Sequence, residues 1–357
     1  AGLLLVDLAA SPEGQQLGLP TIIPEFSEFA ADLVLDSFLP DTEDLEAWRS
    51  LDTDNGALRP GAALLGRVDG VQRAIPYRMD LNLVVFRRDT ENLLPRGMLL
   101  GVDELREASN AFIGGPGYSP RWQSEFVYHA AVLAGAGFRA DDETYVAWNR
   151  QELEETVAEL REWVESEPVD APTTEDRVFT SDPVSLLVSG RIGFWFLSAS
   201  DFLRLPVSIQ AQLGFRLLSA AGRVAVREDM LSFGVRSGSR GARQAEEAIG
   251  LLLQPEVQRS IMERSFVTQS GEPGFLGGLP TSSAGLTIMA SEYAPRLASA
   301  IPPDQLLLYP RQLPRDWDRA RAMVVEPWLA NAIRTDSAEP LDAAIARYAR
   351  QRGDASR

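Results

Sequence analysis

Short β-prone runs alternate with amphipathic helical stretches along the sequence, and this alternation is what most constrains the fold. Residues 81–86 form an apolar, partly β-branched run typical of a buried strand. Residues 151–165 repeat apolar side chains at helical spacing, with acids on the opposite face. Strands alternating with helices favour an α/β architecture. At 357 residues the chain exceeds one comfortable core, so we expect two domains.

The chain lacks several residue types on which enzymes depend. Its 34 basic residues are all arginine, it has no cysteine, and His129 is its one histidine. Without lysine there is no Schiff base and no complete P-loop, and without cysteine no thiol nucleophile, iron–sulfur cluster or disulfide. One histidine cannot supply an ordinary zinc site, and a Ser-His-Asp triad would have to use His129. We expect no cofactor; carboxylate chemistry and oxygen-ligated metals remain open.

The net charge and the hydropathy of the chain limit the kinds of partner that it can bind. The net charge of −17 argues against nucleic acid, because neutralising phosphates takes a basic surface. No window approaches the roughly 18 continuous apolar residues of a membrane-spanning helix. Residues 1–8 are a short apolar run interrupted by Asp7, without the basic leader and full apolar core of an export signal. We therefore expect any such signal to be absent from this chain.

Three separated segments carry a family resemblance. Residues 70–89 place a glycine and a proline before a strand, and residues 186–195 lead from a short helix into the strand sequence GRIGFW. Residues 231–281 run from LSFGV through a long amphipathic region to GLPT. In order and spacing these segments resemble the solute-binding proteins of ATP-binding-cassette (ABC) importers. The similarity is to the sugar-binding class that includes maltodextrin-binding proteins.

The resemblance implies a fold and a domain division. It implies the α/β, two-lobed fold of type II periplasmic binding proteins, in which both lobes are discontinuous and a hinge and a cleft separate them. The amino-terminal lobe is expected to comprise residues 1–88 and 230–279. The carboxy-terminal lobe is expected to comprise residues 89–229 and 280–357.

The resemblance also implies binding in place of catalysis. It implies a substrate-binding component that captures a sugar or oligosaccharide in the cleft and delivers it to the membrane subunits of an ABC permease. Such a protein is not an enzyme, and we expect a monomer. It should act outside the cytoplasmic membrane, in the periplasm or as a lipid-anchored lipoprotein.

Aromatic side chains are the first ligand candidates. Aromatic faces cover the apolar C–H faces of sugar rings, and a tryptophan at a loop-to-helix junction or a strand end is well placed to do so. A tryptophan can equally be part of the core. The stacking candidates are Trp122, Trp195 and Trp317, with Tyr118 and Phe196 as second choices.

Polar side chains near strand ends are the second group, because carboxylates and guanidinium groups hydrogen-bond sugar hydroxyls strongly in a desolvated site. Arg78 and Asp80 flank a crossing segment and alternate in direction, so they can bind ligand or pair with each other. Strand ends in open α/β sheets are where ligands sit. The polar candidates are Asp36, Ser37, Arg78, Asp80 and Asp229, and Met230 is included as the residue next to Asp229.

Two alternatives stay open. The ligand could be a non-sugar solute such as a polyamine, a glycerol phosphate or a peptide, and the acidic balance favours a cation. The chain could instead be a glycoside hydrolase that uses two carboxylates. Glu125 with Asp201 and Glu228 with Asp316 are the pairs for that reading, although their spacing does not single them out.

Overall fold

The computed structural model describes a first strand at residue 33 and most of the chain from residue 57 onward. Within this part, strands and helices alternate as the sequence predicts. The described residues are 33–36, 47, 57–68, 70–141, 143–167, 180–235, 237–238, 242–267, 274–275, 277–314, 316–335 and 339–355.

The described residues form fourteen strands, most of them short. They are β1 Leu33–Asp36, β2 Arg67–Val68, β3 Val71–Gln72, β4 Ala74–Met79, β5 Asn82–Arg87, β6 Leu99–Leu100, β7 Arg139–Asp141, β8 Tyr145–Ala147, β9 Phe194–Ser198, β10 Leu213–Leu218, β11 Val224–Ala225, β12 Leu231–Val235, β13 Leu279–Pro280 and β14 Leu307–Leu308.

The same residues form fourteen α-helices, with short 3₁₀ and π segments between some of them. The α-helices are α1 Pro60–Leu65, α2 Val102–Ala111, α3 Ser124–Ala134, α4 Arg150–Glu165, α5 Pro183–Val188, α6 Ala199–Arg204, α7 Val207–Gln210, α8 Ala242–Leu252, α9 Pro255–Val267, α10 Ser283–Ile288, α11 Pro295–Ala300, α12 Trp317–Ala320, α13 Glu326–Ala332 and α14 Leu341–Ala355.

Contacts divide the chain into two discontinuous units. Unit 1 combines the residues up to Asp80 with 227–305, and unit 2 combines 81–226 with the residues from Leu306 onward. Two discontinuous units are what the sequence predicts, but the boundaries differ from the expected 1–88 with 230–279 and 89–229 with 280–357.

Strand pairing and side-chain contacts explain these differences. The strand β5 pairs with β9 and β10, which places residues 82–87 in unit 2. The backbone N–H of Arg227 donates to the carbonyl of Asp80, within unit 1. Residues 280–305 belong to unit 1 because α10 packs on α9 and because Asp304 accepts hydrogen bonds from Arg59 and from the N–H of Gly61. Sequence patterns do not report such pairings, and the expected crossings differ from those of the structure by 8, 3 and 26 residues.

Unit 1 is built on an antiparallel sheet with strand order β1-β12-β4-β13. Its core contains Tyr77, whose ring centroid lies 4.7 Å from those of Phe233 and Phe275. The Tyr77 hydroxyl donates to the backbone carbonyl of Leu252, at the end of α8, at 3.1 Å. The helix α8 ends there, and α9 begins at Pro255, which confirms that this proline starts a new helix.

Unit 2 is built on a mixed sheet with strand order β6-β10-β5-β9, in which only the β6–β10 pair of these strands is parallel. Residues that pair across neighbouring strands lie on the same face. Trp195 therefore shares a face with Val85 and Phe215, and Phe196 shares the other face with Val84. The strand β9 is at the edge of this sheet, so one side of its backbone is left for other partners.

The start of α3 departs from the sequence pattern. Helical periodicity extends over residues 121–134, but Pro120–Trp122 form a 3₁₀ turn and α3 begins at Ser124. Gln123, between them, has extended backbone angles, φ −144° and ψ 103°. The helix ends at Gly135 in the left-handed conformation, φ 113°, as the glycines there predict. The short break before α3 determines where Trp122 lies.

Candidate functional site

Two tryptophans of unit 2 form a stacked pair. The ring centroids of Trp122 and Trp195 are 6.2 Å apart, with an interplanar angle of 26°. Trp122 is 5% exposed. Trp195 is the one residue of β9 that is not buried. The pair therefore presents one partly exposed indole backed by a buried one, which is the arrangement expected of an aromatic platform.

Gln123 joins the segments that carry these two tryptophans. Its side-chain Nε2 donates to the carbonyl oxygen of Phe196 at 2.8 Å, and its Oε1 accepts from the N–H of Phe196 at 3.2 Å. The same Oε1 accepts from the Tyr118 hydroxyl at 3.2 Å. Sequence reasoning did not select Gln123, because nothing in its local pattern indicates a bond to a strand more than seventy residues away.

Tyr118 and Phe196 are core residues of unit 2. Phe196 is 0% exposed and lies with its ring centroid 5.6 Å from that of Phe126, in an edge-to-face contact. Tyr118 contacts Phe126 and Trp122 edge to face, at 4.9 and 5.6 Å between centroids. Burial raises the pKa of Tyr118 well above its usual range, and the negative charges of nearby glutamates add to the effect. Both side chains support the platform from within.

Trp317 packs with a different set of rings. It is 0% exposed, and its ring centroid lies 5.4 Å from that of Phe138 and 6.4 Å from that of Tyr128. Its position at the start of α12 agrees with the sequence-based expectation of a helix start. Its burial gives it the role of a core residue.

Unit 1 brings four of the predicted residues into one region. Arg78 is partly buried, and its Nη2 donates to the backbone carbonyl of Asp229 at 2.7 Å. Asp80 is 1% exposed, at the end of β4, and Met230 is also buried, next to β12. Arg227, which the sequence offers with Arg78 as the pair for an anionic ligand, holds the Asp229 carboxylate through its Nε at 3.4 Å.

The charges of Arg227 and Asp229 in this region are paired with each other. Arg227 has a buried side chain, whereas the Asp229 carboxylate keeps 38% of its exposure. A partly exposed carboxylate held by a buried guanidinium is a rigid acceptor for hydroxyl groups. Among Arg78, Asp80 and Asp229, the polar candidates of unit 1 whose side chains are described, Asp229 is best placed to accept from a ligand.

The two remaining candidates are at the end of β1. Asp36 is its last residue, and its backbone pairs with Ser232 of β12. Ser37 lies outside the described residues. Both stay predictions from the sequence.

The carboxylates considered for catalysis have structural partners where the contacts are defined. Asp316 accepts from the hydroxyls of Tyr145 and Tyr348 at 2.8 and 2.9 Å. Asp201 accepts from the Ser198 hydroxyl at 2.8 Å and pairs with Arg204 at 3.0 Å. These contacts tie Asp316 to two tyrosines of unit 2 and Asp201 to its own helix, α6, and they give the hydrolase hypothesis no support.

The single histidine is buried in unit 2. His129 is 1% exposed, and its ring centroid lies 5.9 Å from that of Phe196. Its Nε2 is 4.0 Å from the Glu125 carboxylate, one helical turn earlier on α3. In the described part of the chain, no group of three or more metal-ligating side chains converges. No described helix is both long and apolar enough to cross a bilayer.

Comparison with known proteins identifies the fold. Neither a protein-family model nor a curated protein matches this sequence. Solved structures do match. The sugar-binding protein MalE from Xanthomonas citri superposes with a TM-score of 0.66 at 16% identity, over 100% of this chain and 97% of that one. An extracellular solute-binding protein of family 1 from Alicyclobacillus acidocaldarius superposes with a TM-score of 0.63 at 16% identity, over 99% and 95%.

A third match has a described ligand. The GacH receptor of Streptomyces glaucescens, solved unliganded and with acarbose and an acarbose homologue, superposes with a TM-score of 0.58 at 14% identity. The match covers 92% of this chain and 86% of that chain. These near full-length superpositions confirm the predicted fold class, that of the two-lobed extracellular solute-binding proteins. At this identity the similarity defines the fold, while function has to be argued from the site.

Proposed function

We propose that this protein is the substrate-binding component of an ABC importer and that it captures a sugar or oligosaccharide. The observation that carries the proposal is the partly exposed Trp195, stacked on the buried Trp122, in a chain with the fold of sugar-binding proteins. A pyranose ring has apolar C–H faces that an indole covers well. Trp195 supplies that surface, and Trp122 keeps it from rotating.

Unit 1 supplies polar groups of its own. Asp229 accepts hydrogen bonds from sugar hydroxyls, and Arg78 and Arg227 hold it in place through its carbonyl and its carboxylate. Hydrogen bonds to a charged acceptor are stronger than those between neutral groups. Asp36, Asp80 and Met230 stay secondary members of the proposal.

The family that shares this fold suggests the wider role. The neighbours are described as sugar-binding, as extracellular, or as bound to acarbose. By analogy, the liganded chain delivers its sugar to the membrane subunits of a permease, works outside the cytoplasmic membrane and acts as a monomer. A lipid anchor belongs to the same analogy. Catalysis is not part of the proposal.

The experiment is a titration of the whole chain, followed by tryptophan emission and by melting temperature. The probes are maltose, maltotriose and acarbose, with spermidine and glycerol 3-phosphate as non-sugar probes. We expect a saturable emission change and a raised melting temperature for at least one of the sugars, with no product formed. Ligand at one hundred times its Kd adds about 2.7 kcal/mol to the stability of the folded state.

Two substitutions test whether the response to sugar comes from Trp195. Trp195→Leu should remove both the emission change and the added stability. Trp148→Phe is the matched control, because Trp148 is partly exposed in the same unit and packs on Phe138, at 6.1 Å between centroids. A response only to spermidine or glycerol 3-phosphate contradicts the sugar assignment, and hydrolysis of maltotriose contradicts the binding role.

A further inference from the structure

Gln123 occupies the N-cap position of α3 without capping the helix. Serine, threonine, aspartate and asparagine are the side chains that usually cap a helix at this position, by accepting a hydrogen bond from its first turn. The side chain of Gln123 makes no such bond. It is turned toward the edge strand β9, where it bonds the backbone of Phe196. The side chain at the N-cap position of α3 therefore joins two distant segments of the chain.

The amide bonds Phe196 as a neighbouring strand would. Nε2 donates to the Phe196 carbonyl at 2.8 Å and Oε1 accepts from the Phe196 N–H at 3.2 Å, so both backbone groups of one edge residue are satisfied. This assignment of the amide is the one that chemistry allows, since a carbonyl needs a donor and an N–H needs an acceptor. The Gln123 side chain therefore completes the edge of β9 at this residue.

The position of this bond couples it to the stacked pair. Trp122 directly precedes Gln123, and Trp195 directly precedes Phe196, so the amide ties together the residues that follow each indole. The third bond, from the Tyr118 hydroxyl to Oε1 at 3.2 Å, holds Tyr118 edge to face against Trp122. All three bonds of one side chain thus fix the placement of the rings.

We propose that Gln123 is a positioning residue for ligand binding: its side-chain amide sets the geometry of the Trp122–Trp195 stack and, through it, the affinity for ligand. The second half rests on the proposed function, whereas the first half stands without any ligand. Gln123 acts through the two tryptophans, and its own contacts are to protein groups.

The first measurement is circular dichroism, because two stacked indoles in fixed orientation give an exciton couplet. Trp122→Phe and Trp195→Phe should each abolish this couplet, which assigns it to the pair. Gln123→Met keeps the size of the side chain and removes the donor and the acceptor. We expect it to lose at least half of the couplet while the backbone spectrum and a cooperative melting transition persist.

A second variant provides a rescue that a merely structural role would not show. Gln123→Glu keeps the acceptor for the Phe196 N–H and the Tyr118 hydroxyl, but the carboxylate has no proton to donate to the Phe196 carbonyl. At pH 7 the couplet should fall. At a pH low enough to protonate this half-buried carboxyl, the group donates again and the couplet should return.

The matched control is Gln151→Met. Gln151 is exposed on α4 of the same unit and bonds Glu155 within its own helix at 2.8 Å, so its loss should leave the couplet unchanged. With maltotriose or acarbose as the probe, whichever the unaltered chain binds, Gln123→Met should raise Kd at least tenfold, and Gln151→Met should not change it.

Each outcome is decisive for one part of the inference. A couplet that survives in a folded Gln123→Met variant overturns the positioning role. A lost couplet with an unchanged Kd overturns the link to affinity. If the unaltered chain binds none of the sugars, the proposed function and the link to affinity both fail. The couplet of the Gln123→Met and Gln123→Glu variants still tests the positioning role in that case.

Discussion

Removing the buried hydroxyl of Tyr77 should destabilise the protein at neutral pH and stabilise it at high pH. In Tyr77→Phe the ring contacts with Phe233 and Phe275 remain, and one hydrogen bond, to the Leu252 carbonyl, is lost. Such a bond contributes about 1 kcal/mol to the free energy of unfolding. Burial raises the pKa of the Tyr77 hydroxyl far above its usual value, so it stays neutral in the folded chain.

The sign of the pH effect follows from proton linkage. Above pH 10 the unfolded chain loses the Tyr77 proton and the folded chain keeps it, so the raised pKa makes stability fall as pH rises. The loss is about 1.36 kcal/mol per pH unit and reaches about 2 kcal/mol at pH 11.5. Tyr77→Phe has no such loss. The two stability curves should therefore cross at about pH 10.7, because about 1 kcal/mol at about 1.36 kcal/mol per pH unit corresponds to about 0.7 of a unit above pH 10.

The composition makes this measurement unusually clean. The chain has neither lysine nor cysteine, so its tyrosines are the side chains that titrate between about pH 9 and 11.5. The assay is urea unfolding of both chains at intervals of half a pH unit, with tyrosinate absorbance as a second probe. The offset between pH 7 and 9 is the internal control. If Tyr77→Phe stays less stable by the same amount up to pH 11.5, Tyr77 ionises in the folded chain and the reasoning is refuted.

Three further outcomes follow from the same structure. Gly66→Ala places a Cβ 1.7 Å from the Ala74 carbonyl oxygen and should lower the unfolding free energy by about 3 kcal/mol or prevent folding. In Gly101→Ala the new Cβ meets ordinary contacts, so this variant should not show such a loss. Asp182→Ala removes the N-cap of α5 and should cost about 1 kcal/mol at pH 7. Its hydrogen bonds lower the pKa of Asp182, so that loss should fade as pH falls below about 4. The net charge of −17 predicts a melting temperature that rises more with salt than with sucrose of equal osmolality, because salt also screens the repulsion between like charges. A salt-independent melting temperature would contradict this prediction.

The periodic elements were predictable because local patterns determine them. The helix α4 shows its apolar stripe directly, and Pro255 marks the start of α9 by its own geometry. The order in which the chain passes between the two units was predictable, but the residues at which it passes were not. Where β5 belongs depends on its pairing with β9, and pairing is a property of distant residues that no local window contains.

The candidate site shows the same limit at the level of single side chains. Trp195 could be chosen from its expected position at the end of a strand, and its partner Trp122 from its position before a helix; in the structure Trp195 is the second residue of β9. That they stack, and that Gln123 fixes them, depends on a bond between segments more than seventy residues apart. Local signals even favour Gln123 as the first part of a helix, and the tertiary contact overrides them.

Trp195 and Trp317 show how burial separates two residues that the sequence treats alike. Both lie at the start of a secondary-structure element, but Trp317 is 0% exposed and Trp195 is partly exposed. Trp317→Leu should therefore lower the unfolding free energy by about 3 kcal/mol, because it leaves a cavity beside Phe138, and it should leave Kd for a bound sugar unchanged. Trp195→Leu should do the opposite, with little loss of stability and a large loss of affinity. Urea unfolding and the sugar titration, run on both variants, measure the two quantities independently. If Trp317→Leu weakens binding as strongly as Trp195→Leu in a chain that stays folded, then the exposed fraction of a side chain does not identify the ligand contacts of this protein.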